Sequence, residues 1–280
     1  MKKLGALIVI IAMLVAAHAY ALDIGVIMAV LKSAKQTIDT TLAGIDTDLK
    51  AAAKGLSGGD LKGDAARQVL TGLCKYRPYV INCSIIDANG KKIAVEPAEY
   101  KEYEGADRSS LPSVLLLLKT KKPGMSDVYG SAEGINAVSI GYPILSEKGE
   151  LLGAVRMLIR QEVFLKPLLG GKPCKVWVMQ KNGLIVYDPD PEEIGKNIFS
   201  DGMFKPFEDL ISFSKTVATS KNGAGSYSFY ADAPNDKTPV EKVAAWDTAG
   251  LYGTEWRVIA MEVENAPKPA KKPEQPTAVK

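Results

Sequence analysis

A chain of 280 residues, 46% hydrophobic and 24% charged, can bury a substantial core as one large unit or two small ones. Its 35 basic and 32 acidic side chains give a formal charge of +3, too small to argue for nucleic acid or an acidic membrane surface as a partner. One histidine and three scattered cysteines leave almost nothing from which to build a metal centre or a histidine-activated nucleophile.

The N-terminus has the form of a secretory signal over residues 1–21. Met1-Lys2-Lys3 is a positive start, Leu4 to Val15 a short apolar core, and Ala17-His18-Ala19 and Ala19-Tyr20-Ala21 are small-x-small cleavage sites. The expectation is cleavage after Ala21 and a periplasmic or secreted protein. The alternative is an uncleaved helical anchor, because Ile24 to Leu31 is apolar again beyond Asp23. With His18 in the leader, the mature chain has no histidine, so Ser-His-Asp, Cys-His and His-ligated metal chemistry are excluded. An oxidising compartment permits a Cys74–Cys83 disulfide; three buried thiols are the other reading, and both stay open.

Residues 22–70 read as helical. Leu31, Ala34, Ile38, Leu42, Ile45, Leu49, Ala52 and Leu56 recur at gaps of three and four, which draws one apolar stripe down a long helix ending near Ser57-Gly58-Gly59. A second helix spans Gly63 to Lys75. A lobe over residues 71–165 then opens with an apolar strand, Val80 to Ile86. An Asn89-Gly90 turn expected to be type I′ follows, with a return strand, Lys91 to Val95. After a polar segment, Glu99 to Ser110, and an apolar run, Leu111 to Leu118, come three strand-like pieces: Met125 to Tyr129, Ala137 to Leu145, and Leu151 to Arg160. Hairpin, polar segment and meander are the order of a PAS-like antiparallel sheet with a pocket on one face.

Phe164 to Pro173 is expected to be an irregular connector, broken by Pro167, Gly170, Gly171 and Pro173. A second lobe, residues 172–263, repeats the theme with Val176 to Tyr187 folded about Asn182-Gly183, an internal duplication in outline. Lys205 to Lys221 reads as helix and loop. Gly225 to Tyr230, Lys242 to Trp246 and Glu255 to Met261 complete its sheet, with Trp177, Trp246 and Trp256 in its core. Residues 264–280 read as a Pro/Lys-rich tail expected to be disordered.

The pieces Glu104-Gly105-Ala106-Asp107-Arg108-Ser109-Ser110, Thr120 to Tyr129, Ile140-Gly141-Tyr142-Pro143-Ile144, Glu147 to Val155 and Asp188-Pro189-Asp190-Pro191 stand in the order found in one family. Over roughly Asp23 to Val263 the chain resembles the double-Cache extracellular sensors. The resemblance implies an α+β fold: a long N-terminal helix packed along two PAS-like lobes, with the ligand in the first. That helix often forms the dimer seam of such sensors, so a homodimer through it is one expectation and packing onto its own lobes another.

Tyr103 and Arg108 match the tyrosine and arginine of the family's amino-acid signature, in which the arginine pairs with the ligand carboxylate. Ser110-Leu111 stands where the signature has Trp-Tyr, and Met157-Leu158 where it has the aspartate that holds the ligand amine. An α-amino group would enter unpaired, so a small organic acid is expected in preference to an amino acid. The expected lining is Tyr103, Arg108, Ser110, Ser126, Tyr129, Tyr142 and Arg156. No cofactor, metal, nucleic acid or catalytic activity is expected. The Asp188 to Glu193 acidic run lacks the calcium-loop pattern because of Pro189 and Pro191, and no glycine-rich stretch carries a phosphate-loop lysine. The functional expectation is a sensor or binding protein that signals through a separate membrane transducer. The alternative is a ligand-free adaptor that keeps the fold.

Overall fold

A computed structural model describes residues 2–75, 77–231 and 236–264, with side chains from Ile24 onward. The expected leader side chains and nearly all of the expected tail lie outside that range. Among the described residues, no helix is long and apolar enough to cross a membrane.

Helix α1, Lys2–Gly55, is the spine. All eight residues of the apolar stripe are buried, and Ile27, Val30 and Ala53 extend it. The stripe lies against strands of both lobes, so the helix packs on its own chain and one hydrophobic cluster runs continuously from lobe to lobe beneath it. Polar ties flank that contact. Asp48 pairs with Arg77 of the first lobe, the Tyr252 hydroxyl donates to Asp46, and the Gly250 N–H donates to Asp39 at 3.2 Å. Helix α2, Asp64–Cys74, leads into the first sheet. Cys74 and Cys83 are joined by a disulfide with Cα atoms 5.8 Å apart, which fixes that helix end to the sheet; Cys174 is a buried thiol.

The first sheet comprises β1 (Val80–Asp87), β2 (Lys92–Glu96), β3 (Gly124–Met125), β4 (Tyr129–Gly130), β5 (Asn136–Leu145) and β6 (Leu151–Ile159). Its order is β2-β1-β6-β5-β3, with β4 also on β5, and every pairing is antiparallel. A 3-10 helix (Ala98–Tyr103) and α3 (Pro112–Thr120, with proline in its first turn) cover one face, and α1 covers the other. The expected strand over Met125 to Tyr129 is two two-residue strands, because the chain pairs with β5, leaves it after Ser126, and returns at Tyr129.

The connector departs from expectation more plainly. Gln161–Leu169 is helix α4, with Pro167 inside it. Proline removes only its own N–H bond near the end of a short helix, while Phe164, Leu165 and Leu169 bury their side chains under α1, so packing outweighs the local penalty.

The second sheet repeats the first. It comprises β7 (Lys175–Gln180), β8 (Ile185–Tyr187), β9 (Gly223–Tyr230), β10 (Pro239–Leu251) and β11 (Thr254–Val263), in the order β8-β7-β11-β10-β9. Helix α5, Glu208–Thr219, covers its outer face. Trp177 and Trp246 lie in the core beneath α5, whereas Trp256 lies in the cluster under α1, with its ring 6.4 Å from that of Phe164.

Both Asn-Gly turns differ from the expected type I′. Gly90 and Gly183 each take φ near 87°, while neither asparagine has positive φ. The Gly90 N–H donates to the Asp87 carbonyl at 3.0 Å and the Asp87 N–H to Lys91 at 2.9 Å, with the same pattern at Gln180, Gly183 and Leu184. This is a type I turn closed by a glycine bulge, one residue longer than a type I′ loop, so glycine alone supplies the left-handed conformation.

Candidate ligand cavity of the first lobe

Strand β1 buries six consecutive residues, and the period of two sorts them. Cys83 and Ile85 point into the cluster under α1. Asn82 and Ser84 point the other way, into a cavity of about 270 Å³. Its wall is completed by Lys92 of β2, Ser139 of β5, Arg156 and Leu158 of β6, Arg108 and Leu111 from the covering segment, and the run Tyr129 to Glu133. In register, Arg156 lies between Ser84 and Gly141. A side chain at Gly141 would put its Cβ 3.3 Å from the Arg156 Cγ and 2.8 Å from Leu117, so glycine is what admits the arginine stem there.

The charges are unevenly matched. Glu133 is the one carboxylate on the wall, and it is engaged: its Oε1 accepts from Asn82 Nδ2 at 2.9 Å and from Lys92 Nζ at 3.3 Å. That ion pair is buried on both sides. Arg156, also buried, donates from Nη2 to the Ser139 hydroxyl at 2.7 Å. Among the described residues, no carboxylate lies within 4 Å of either Arg156 or Arg108. Two guanidinium groups and an ammonium thus share the space with a single carboxylate.

The ionisation preferences follow from that excess. Burial pushes the Lys92 ammonium below its ordinary value; Glu133 opposes the shift, and Arg156 and Arg108 deepen it. Burial works against the Glu133 carboxylate too. Lys92, its own backbone, Asn82 and Ser131 outweigh that, and its pKa falls. The two partners therefore respond differently to one ion pair, as expected where the surrounding field is positive. Burial also lowers the Arg156 guanidinium, the Tyr129 hydroxyl opposes this, and Arg108 adds to it. An arginine remains charged throughout the accessible pH range.

Of the expected lining residues, Arg108, Tyr129 and Arg156 converge on this cavity. Tyr103 lies just outside, its hydroxyl 3.5 Å from the Ala132 carbonyl and its ring 5.4 Å from Lys92 Nζ. Ser110 is exposed and does not line the cavity. The Ser126 hydroxyl accepts from the Ser139 N–H at 2.9 Å, which ties β3 to β5. Tyr142 faces the α1 cluster, because it stands three residues from the cavity-facing Ser139 and so on the opposite face of β5.

Sequence reasoning missed Asn82, Ser84, Lys92, Glu133 and Ser139. Asn82, Ser84 and Ser139 carried a signal: polar residues at alternate positions of otherwise apolar strands. Glu133 carried none, since it lies in the loop between β4 and β5.

Residues 40–161 match the model of the HK/GC/chemotaxis protein-like sensor domain. An extracellular ligand-binding receptor from Desulfohalobium retbaense superposes with a TM-score of 0.69 at 26% identity, over 84% of this chain; the chain spans 40% of that receptor's length. The ligand-binding domain of the Pseudomonas fluorescens chemoreceptor CtaA, in complex with L-isoleucine, superposes at 0.61 with 15% identity, over 89% of this chain and 94% of the other. The chain has the double-Cache sensor fold. The ligand-binding domain of the Pseudomonas aeruginosa chemoreceptor PctB, in complex with L-Arg, shares that fold at 14% identity and a TM-score of 0.59, over 85% of this chain and 93% of the other. No curated protein matches the chain in sequence. The matched family is one of sensors rather than enzymes, and its model falls on α1, α2 and the lobe that holds the cavity.

Proposed function

We propose that this double-Cache chain is an extracytoplasmic sensor whose first lobe captures a small organic anion, a carboxylate without a free α-amino group, and presents the bound state to a membrane transducer. The observation that carries this reading is the pair of guanidinium groups, Arg108 and Arg156, open to one cavity with no carboxylate within 4 Å among the described residues. A carboxylate ligand would supply the missing charge, with Arg108 at the mouth as its anchor and Arg156 on the floor. An amino acid, the ligand in the CtaA and PctB structures, would also bring an ammonium into a positive cavity. Its natural partner, Glu133, is held by Lys92 and Asn82, so binding would break a buried ion pair.

Communication with the second lobe runs close to the site. The Val128 N–H, beside the cavity residue Tyr129, donates to Gln180 Oε1 of β7 at 2.5 Å, and the Thr254 hydroxyl donates to the Met125 carbonyl at 2.5 Å. A thermal-shift screen of monocarboxylates, dicarboxylates and amino acids tests the reading, since a ligand of the native state raises the melting point. Stabilisation by carboxylates that disappears in Arg108→Ala is the expected result. Stabilisation by amino acids alone would overturn the ligand class, and no shift with any compound would favour a ligand-free adaptor.

A further inference from the structure

The first-lobe cavity holds more positive charge than one carboxylate can answer. Arg108, Arg156 and Lys92 line it against the single carboxylate of Glu133, which leaves an excess of two. These charges act on one another: Arg108 and Arg156 both disfavour the Lys92 ammonium, and Arg108 disfavours the Arg156 guanidinium. A ligand with one carboxylate would answer half of that excess.

The two guanidinium groups reach the cavity from different layers. Arg156 stands on β6 in the sheet, whereas Arg108 belongs to the segment that closes over it. The surroundings of Arg156 make a seat of their own. It is met by the hydroxyls of Ser139 and Tyr129, and by no carboxylate within 4 Å among the described residues. Ser84 stands directly opposite it on β1, and facing Cβ atoms on paired strands are about 4.5–5.5 Å apart. Ser84 is 2% exposed and lines the cavity, and its hydroxyl has no hydrogen-bond partner among the described residues. A guanidinium fork beside an unused O–H donor suits a carboxylate. Arg108, half-buried in the covering layer, offers a second such seat. Leu111 and Leu158 add apolar wall for a methylene chain. The cavity, about 270 Å³, falls just below the range of about 300–1,000 Å³ that drug-sized ligands fill, so that chain is short.

We infer that the ligand is a short dicarboxylate bridging the two layers, with one carboxylate on Arg156 and Ser84 and the other on Arg108. This rests on the anion reading proposed above and narrows it: Arg156 and Ser84 set the preference for a second negative charge.

The test is calorimetric titration of the intact protein at neutral pH and fixed ionic strength. The probes are succinate, butyrate, which has the same chain length and one carboxylate, and inorganic phosphate as a compact anion. Succinate should bind at least about tenfold tighter than butyrate, and phosphate should bind more weakly than succinate. Ser84→Ala should weaken succinate about tenfold and narrow the ratio of the two affinities. Arg156→Met should bring that ratio close to one; where it does not fold, Ser84→Ala decides. Saturable binding of succinate and butyrate with equal affinity, or an unchanged ratio in Ser84→Ala, overturns the two-seat inference and leaves the anion reading standing. Phosphate binding as tightly as succinate also overturns it, because one compact seat would then suffice. No saturable heat from succinate or butyrate overturns the anion reading itself.

Discussion

The buried Lys92–Glu133 pair offers the sharpest handle on the first cavity. Glu133→Gln leaves the shape nearly unchanged and removes one charge, stranding an ammonium only 4% exposed beside two guanidinium groups. At 3.3 Å and an effective dielectric constant near 20 the lost attraction is about 5 kcal/mol, and removing one partner of a buried pair costs about 3–5 kcal/mol. A ceiling of about 4.6 kcal/mol applies at pH 7, because beyond it Lys92 sheds its proton at the free energy set by a reference pKa near 10.4. The loss should therefore fall at about 3–4.5 kcal/mol, read by urea unfolding at pH 7 in the absence of ligand, and a saturating carboxylate should restore part of it. The double variant Lys92→Met/Glu133→Leu should recover most of the stability, since a packed apolar pair replaces a buried ionic one at little cost. A change below about 1 kcal/mol in Glu133→Gln would refute the reasoning: the pair would then be solvated, and the positive field inferred for the cavity would be screened away.

Three further outcomes follow from the same structure. Reducing the Cys74–Cys83 bridge, or replacing both cysteines with serine, should cost about 2–3 kcal/mol for so short a loop, seen as a lower melting point with reductant. Leu42→Ala, fully buried in the α1 stripe, should cost about 2–5 kcal/mol and shift the unfolding of both lobes together; separate transitions would show that α1 does not bind them into one cooperative unit. The folded-state pKa of Asp188 is raised, so its contribution to stability is fully present below the unfolded value near 3.9 and is lost as pH rises through the folded value. Unfolding titrations of wild type and Asp188→Asn should accordingly diverge above pH 4, with the variant the more stable at neutral pH; parallel curves would contradict the burial of that carboxyl.

The spine was fully legible in the sequence because a helical stripe is a local pattern, and every residue of it proved buried. The long strands were legible for the same reason, down to the return strand after each Asn-Gly turn, whereas the strand expected over Met125 to Tyr129 divides into two short pieces. The α4 helix was not, because its stability comes from Phe164 and Leu165 packing under α1, a long-range fact that overrides Pro167 locally. The cavity was half legible. Arg156 stands out as a charge in an apolar strand, and Arg108 came from the family resemblance. Tyr142 stands an odd number of positions from Ser139 and so on the other face of β5, a parity that family position does not carry. Lys92 and Glu133 meet only when the sheet and the loop before β5 close on one another, 41 residues apart in sequence, and neither neighbourhood marks the pair.

The most direct test of the central claim is the affinity of a small carboxylate for wild type and Arg108→Ala, measured by calorimetry at fixed ionic strength. Arg108 is half-buried and has no carboxylate within 4 Å among the described residues, so its loss should spare the fold. A charge-assisted hydrogen bond contributes about 1.5–3 kcal/mol, which predicts a loss of about 10- to 150-fold in affinity. Equal affinity in the two proteins would contradict the account.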